Sequence, residues 1–251
     1  MTGSAESHFI NYLYLVYLQQ IFVMKKTISL LFISLFVFAG QATAQKIDLS
    51  KVDLNALLNE TQLNTGIGDT MELHLWMPLE FWKVSMLQDP TLDKGQMNDF
   101  LKVLEPYTIV AVIDGKFGLF GSLTYEDPDT IRTKYNMMDK DGGLHAPLEE
   151  ATLNSEVQVL LSMFKPMMSN MLGEMGENLQ FFVFNNLDEQ GDRIFSPYIE
   201  KSTRASYKGK IHNWKTPFGT LLEKKMCPID NELHNGSWDY CPYHGGKLKK
   251  A

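Results

Sequence analysis

Apolar residues recur at every second position over Met71, Leu73, Leu75 and Met77, which predicts a strand with those four side chains on one face. Glu72 and His74 fall on the other face, where an exposed ion pair is the simplest expectation, and Pro78 ends the strand. Thr108 to Ile113 is an unbroken apolar run, the pattern of a buried strand. Asp114-Gly115 then predicts a tight hairpin turn, with Phe117 to Tyr125 returning as the second strand. Helical spacing appears in four places. Ile47, Val52, Leu54, Leu57, Leu58 and Leu63 predict a helix within 46–64, capped at Asp48 or Ser50. A second spans 92–104 and stops before Pro106, and a third opens at Asp127-Pro128 and runs to about Met138. Leu153, Val157, Leu160, Phe164, Met167 or Met168, and Met171 predict a fourth, kinked or divided at Pro166 and capped at Gly176. Leu179 to Phe184 reads as another strand, Asp188 to Asp192 as a turn, and Ile194 to Ser206 as a segment pairing on its far side. Mixed elements with a hairpin predict an α+β fold: an antiparallel sheet with packed helices.

The first 44 residues carry a different pattern. Met24-Lys25-Lys26 is a short basic stretch, Leu30 to Ala39 is almost wholly apolar, and Ala42-Thr43-Ala44 has small residues in a cleavage-site spacing. Together these predict a secretory signal peptide over 24–44, a mature chain starting at Gln45, and export to the periplasm or the exterior. Residues 1–23 precede that signal, and the simplest expectation is an upstream start codon chosen in error. Phe9 to Val23 is apolar, so membrane contact is expected only if this stretch is retained. The expected organisation is therefore a leader at 1–23, a signal at 24–44, an α+β domain at 45–220 and a small tail at 221–251.

Charge narrows the partners. The chain has 23 basic and 30 acidic residues, a formal charge of −7. Nucleic acid is not an expected partner, because neutralising phosphates needs a basic face. A protein or a small molecule is the expected ligand class.

The tail holds both cysteines. Cys227-Pro228-Ile229-Asp230-Asn231 and Cys241-Pro242-Tyr243-His244-Gly245 repeat one pattern: Cys, Pro, any residue, a metal-ligand type, then a residue tolerant of positive φ. Ten residues, Asn231 to Tyr240, separate the two, enough for a hairpin through Asn235-Gly236. This pattern resembles the zinc-ribbon family, in which two Cys-Pro-x-Cys-Gly knuckles clasp one Zn²⁺. The resemblance covers residues 227–248 only. It implies a structural zinc held by Cys227, Asp230, Cys241 and His244, with Asp230 and His244 standing where the family has cysteine. His is an ordinary zinc ligand and Asp a less usual one, so His234 is a rival for the fourth place. The alternative is a disulfide between Cys227 and Cys241, which for a loop of this length stabilises by about 3 kcal/mol. Either device staples a segment too small to build its own core. Trp238 and Tyr240 are expected to pack the spacer against the main domain.

Other stretches carry weaker chemistry. Met163, Met167, Met168, Met171 and Met175 suit a helix core better than a soft-metal site. Asp139-Lys140-Asp141-Gly142 begins like a calcium loop, but Leu144 stands where such a loop needs glycine, so a solvated turn is expected. No nucleophile elbow or His-Glu-x-x-His helix is present. The reading is an exported binding or envelope-associated protein with a structural zinc site. The alternative is a metal-dependent hydrolase working at the tail site or at His74.

Overall fold

The computed structural model describes residues 47–251, apart from the side chain of Met171. The expected leader, signal peptide and mature start at Gln45 lie outside the described residues. In chain order the elements begin with α1 (Leu54–Thr61), β1 (Gln62–Asn64), β2 (Thr70–Met77), α2 (Leu79–Leu87) and α3 (Lys94–Leu104). The middle of the chain holds β3 (Tyr107–Phe117), β4 (Leu123–Tyr125), α4 (Pro128–Lys134), β5 (Asn136–Met138) and β6 (Leu144–His145). Then come α5 (Ser155–Leu172), α6 (Glu174–Glu177), β7 (Gln180–Asn185), β8 (Arg204–Tyr207) and β9 (Lys210–Asn213). Three short strands close the chain: β10 (Lys225–Met226), β11 (Leu233–His234) and β12 (Lys249–Lys250). The fold is α+β, and every strand pair is antiparallel.

Side-chain caps set the helix starts. Asp53, Asp93, Asp127 and Asn154 each accept a hydrogen bond from a backbone N–H in the first turn of α1, α3, α4 and α5. Each such cap stabilises its helix by about 1 kcal/mol. Asp48, one of the two expected caps of the first helix, instead caps a short 3₁₀ turn at Leu49–Lys51. The fourth helix continues through Pro166 as one element and is capped by Gly173 at φ 60°, not by Gly176. Gly176 has another role: a Cβ there would lie 1.9 Å from the Met168 carbonyl oxygen, so only glycine lets α6 fold back against α5.

β3 is the spine of the main sheet. β2 pairs along nearly its whole length, with Leu73 opposite Ile113 and His74 opposite Val112. The other edge of β3 is shared, β7 taking Tyr107–Val112 and β4 taking Gly115–Phe117. Both faces are covered, which accounts for the unbroken apolar run. Ile109, Ala111 and Ile113 pack with Trp82, Leu104, Val157 and Leu161 from the helices. Val110 and Val112 pack on the opposite side with Tyr135, Met137, Ala205 and Tyr207. Met137, Ala205 and Tyr207 belong to a second sheet, ordered β6-β5-β8-β9. The main sheet thus lies between a helical layer with α3 and α5 on one face and, on the other, the small sheet together with Leu57 of α1 and Ile131 of α4.

This layering corrects three expectations. Asp114-Gly115 is not a turn, because β3 runs through both residues to Phe117. Asp114 instead accepts a hydrogen bond from the Tyr207 hydroxyl at 2.6 Å and pairs with Lys208 at 2.6 Å. Gly115 admits β4 closely, since a Cβ there would stand 3.2 Å from the Thr124 carbonyl oxygen. The chain reverses over Gly118–Ser122, with Gly121 at φ 79°. The helix opened at Asp127 ends at Lys134, because Asn136 to Met138 are needed by the small sheet, where Met137 pairs with Ala205. Residues 194–203 form no strand; only Arg204–Tyr207 pairs, and it pairs with β5 and β9. The loop at Asp139–Gly143 is a turn, as expected, with Asp139 N–H donating to the Gly143 carbonyl at 3.0 Å.

Candidate metal centre

The tail folds as two matched turns. In the first, the Asn231 N–H donates to the Cys227 carbonyl at 3.0 Å and the Cys227 N–H to the Glu232 carbonyl at 2.9 Å. In the second, Gly245 N–H donates to the Cys241 carbonyl at 2.9 Å and Cys241 N–H to the Gly246 carbonyl at 2.8 Å. Asn231 and Gly245 hold φ of 61° and 64°. Asparagine and glycine are the residues that take this left-handed conformation at least cost, which explains their equivalent places. β10 and β11 pair across the first turn, and a Tyr240–Lys247 bridge closes the second. β12 pairs with the free edge of β10.

The turns bring ligand-type side chains to one point. Cys227 and Cys241 are buried, and both are free thiols. The His244 Nδ1 atom lies 3.6 Å from the Cys227 sulfur and 3.6 Å from the Cys241 sulfur. Cys227, Cys241 and His244 are thus within metal-binding distance of one another. Asp230 Oδ2 lies 3.5 Å from His244 Nδ1, and the Asp230 carboxylate also accepts the Glu232 N–H at 3.0 Å. His234 is buried, with Nε2 3.5 Å from the Cys241 sulfur, and it joins Cys227 and Asp230 in a second overlapping group. The electrostatics of the thiols differ. Burial pushes the Cys227 thiol up, and the side chains of Asp230 and Cys241 add to the shift. Burial also acts upward on Cys241, but the N–H groups of His244 and Tyr243 together with the His244 ring outweigh it and bring that thiol down to about 7. Asp230 is held below the ordinary carboxylate range by the Glu232 N–H and by Cys227.

The tail's own apolar core is only Cys227, Cys241 and Leu248. Of the two residues expected to pack the spacer against the main domain, Trp238 lines a cleft with Asn59, Glu60 and Leu63. Trp238 and Tyr240 are 44 % and 62 % exposed, and Trp238 also stacks on His234 with ring centroids 6.1 Å apart. Anchorage comes from Glu60 of α1, whose carboxylate accepts N–H groups of Gly219 at 3.0 Å and Thr220 at 3.2 Å and the Asn235 amide at 3.3 Å. No spacing rule links Glu60 to the tail, so the sequence carries no signal for this contact.

Comparison with protein-family models, with curated proteins and with solved structures finds no match. Function is therefore argued from the residues themselves.

The expected surface pair Glu72–His74 is covered instead, His74 wholly and Glu72 in part. The face of β2 opposite the helices is roofed by the small sheet, which leaves His74 inaccessible and brings His212 of β9 beside it. Glu72 is held at about 2, chiefly by its hydrogen bond with His74, against the upward push of burial. Sequence reasoning passed over His212, because it lies far along the chain from Glu72 and His74 and no local pattern joins them. The methionine stripe splits: Met168 and Met175 pack against the helix-side core, while Met163 and Met167 are 67 % and 42 % exposed.

Proposed function

We propose that the tail is a structural zinc centre, and that the protein is an exported, non-enzymatic binding protein of the envelope. The observation that carries the zinc reading is metric. With Zn–S near 2.3 Å and Zn–N near 2.0–2.1 Å, the edge of a tetrahedron between a sulfur and a nitrogen is about 3.5–3.6 Å. The Cys227–His244 and Cys241–His244 separations are both 3.6 Å. Cys227, Cys241 and His244 supply three ligands. Asp230 is the fourth, because it occupies in the first turn the place His244 occupies in the second. His234 then supports the Cys241 sulfur by an Nε2–H donation, the kind of outer contact that orients a ligand. A site closed by four protein ligands has no position for a reacting water and serves to hold the fold.

The binding reading is supported by unpaired apolar surface. Val159, Met163 and Met167 follow one another by four residues along α5 and are 58 %, 67 % and 42 % exposed. Leu119 and Phe120, at the β3–β4 turn, are 99 % and 100 % exposed. Export is supported by the pattern of residues 24–44 alone. Among the described residues no helix is long and apolar enough to cross a membrane.

Elemental analysis and a free-thiol count on one sample of native protein test the centre. At least one zinc per chain with two titratable thiols after denaturation in chelator is the expected result. No metal and no thiol would establish the disulfide in its place.

A further inference from the structure

Between the main sheet and the small sheet, three donors meet that the tail centre does not use. Glu72 and His74 stand two apart on β2 and so share a face. His212 reaches them from β9, where it faces inward between the exposed Ile211 and Asn213. His74 Nε2 lies 3.2 Å from Glu72 Oε1, and His212 Nε2 lies 3.5 Å from the same oxygen. The two imidazoles stack, with centroids 4.9 Å apart and planes 30° apart. One donor atom from each of the three residues falls within 4.8 Å of the other two.

Burial makes this arrangement informative. His74 is wholly inaccessible, His212 is 8 % exposed, and the Glu72 side chain is 12 % exposed. Yet His212 Nε2, aimed at the carboxylate, has no hydrogen-bond partner. His74 Nδ1 and the hydroxyl of Tyr135, whose ring packs 5.5 Å from His74, are also buried without partners. A buried polar atom left unpaired is costly, and most such atoms in folded proteins are satisfied by protein, water or an ion. Here the unpaired nitrogen is a metal-ligand type and faces a carboxylate already flanked by a second imidazole.

We propose that Glu72, His74 and His212 form a second metal site, an N₂O donor set for a first-row divalent transition ion. Nitrogen and oxygen ligands at about 2.0–2.1 Å from such an ion stand about 3.3–3.4 Å apart in a tetrahedron, and the two measured separations to the carboxylate straddle that value. Two imidazoles and one carboxylate suit zinc, iron or cobalt; calcium and magnesium favour oxygen ligands throughout. The Thr65 hydroxyl donates to the Glu72 oxygen nearest both rings and fixes its orientation, a role typical of the residue behind a metal ligand. Three protein ligands leave at least one position for a small exogenous group, the composition that separates open metal sites from closed ones. The site shares no residue with the tail centre and stands whether or not the tail binds zinc.

The test is a cobalt titration of the full chain after metal removal, under reducing conditions. Two equivalents are expected. One brings the intense near-ultraviolet charge-transfer absorption of thiolate ligation, from Cys227 and Cys241. The other brings only weak visible bands. His212→Gln is expected to abolish the second equivalent and keep the charge-transfer band. Cys227→Ser is expected to do the reverse, and retention of the thiolate-free equivalent in that variant supports the interior site even if the tail reading fails. A single equivalent in the unaltered chain, carrying the charge-transfer band, overturns the proposal. So does an unchanged stoichiometry of two in folded His212→Gln. Should His212→Gln not fold, the count and band type of the unaltered chain decide alone.

Discussion

Replacing His244 with alanine removes the imidazole that stands 3.6 Å from both cysteine sulfurs, a ligand on the proposed zinc reading. On the proposed zinc reading, metal is the main force that holds the tail, which has little apolar core of its own. Its only aliphatic core residue is Leu248, 7 % exposed, whose burial contributes about 2 kcal/mol. Against this, ordering each backbone residue costs about 1–2 kcal/mol, and the two knuckles with their spacer span residues 227–248. Structural zinc binds comparable small motifs with about 10–16 kcal/mol, so a quarter share for one of four ligands is about 3 kcal/mol, roughly a 150-fold loss in affinity. His244→Ala is therefore expected to release zinc in the presence of a mild chelator and to unravel residues 221–251. Hydrogen exchange reads this directly. The N–H groups of Cys227, Asn231, Cys241 and Gly245, each bonded within a knuckle, should lose protection. Those of the β2–β3 ladder should keep theirs. Metal content and knuckle protection both unchanged in His244→Ala would refute the zinc reasoning, since a disulfide between the cysteines has no use for an imidazole.

Three further outcomes follow from the packing. Gly176→Ala is expected to destabilise the protein by about 1–3 kcal/mol in urea unfolding, because its Cβ would meet the Met168 carbonyl oxygen at 1.9 Å and the end of α5 must shift; a change within experimental error would mean that α6 does not fold back as described. Trp76 is fully buried and donates its indole N–H to Thr108 Oγ1 at 2.7 Å, so Trp76→Ala should cost about 3–5 kcal/mol by the same measurement, and less than about 1 kcal/mol would contradict its place in the core. The Lys208 ammonium beside Glu126 holds that carboxyl below its usual range. A carboxylate with a lowered folded value adds stability that is complete above its unfolded value and is lost as pH falls through the folded one. Thermal unfolding from pH 7 down to about pH 3 should therefore show an acid limb that is shallower in Lys208→Met; identical limbs would show that the pair contributes nothing.

Much of the secondary structure was legible from periodicity because local chemistry and burial agree there. The alternation at Met71 to Met77 gave β2, the unbroken run at Thr108 to Ile113 gave the two-faced strand β3, and Asp127-Pro128 marked the start of α4. The paired Cys-Pro patterns placed positive φ at Asn231 and Gly245, since backbone conformation at a knuckle depends on its own few residues. What failed depended on partners remote in the chain. Asp114-Gly115 has the composition of a turn, yet Tyr207 and Lys208 hold Asp114 inside an extended strand. Asn136 to Met138, expected at the end of the helix opened at Asp127, become strand because β8 lies beside them. His74 looked exposed because strict alternation assigns a face without saying what covers it; only the small sheet, assembled from β5, β6, β8 and β9, turns that face into an interior and delivers His212 to it. The ligand types at the tail were thus determined by sequence, whereas their convergence, the reach of Glu60 and the buried Glu72–His74–His212 group were decided by tertiary structure, because each requires contacts between segments that no local pattern relates.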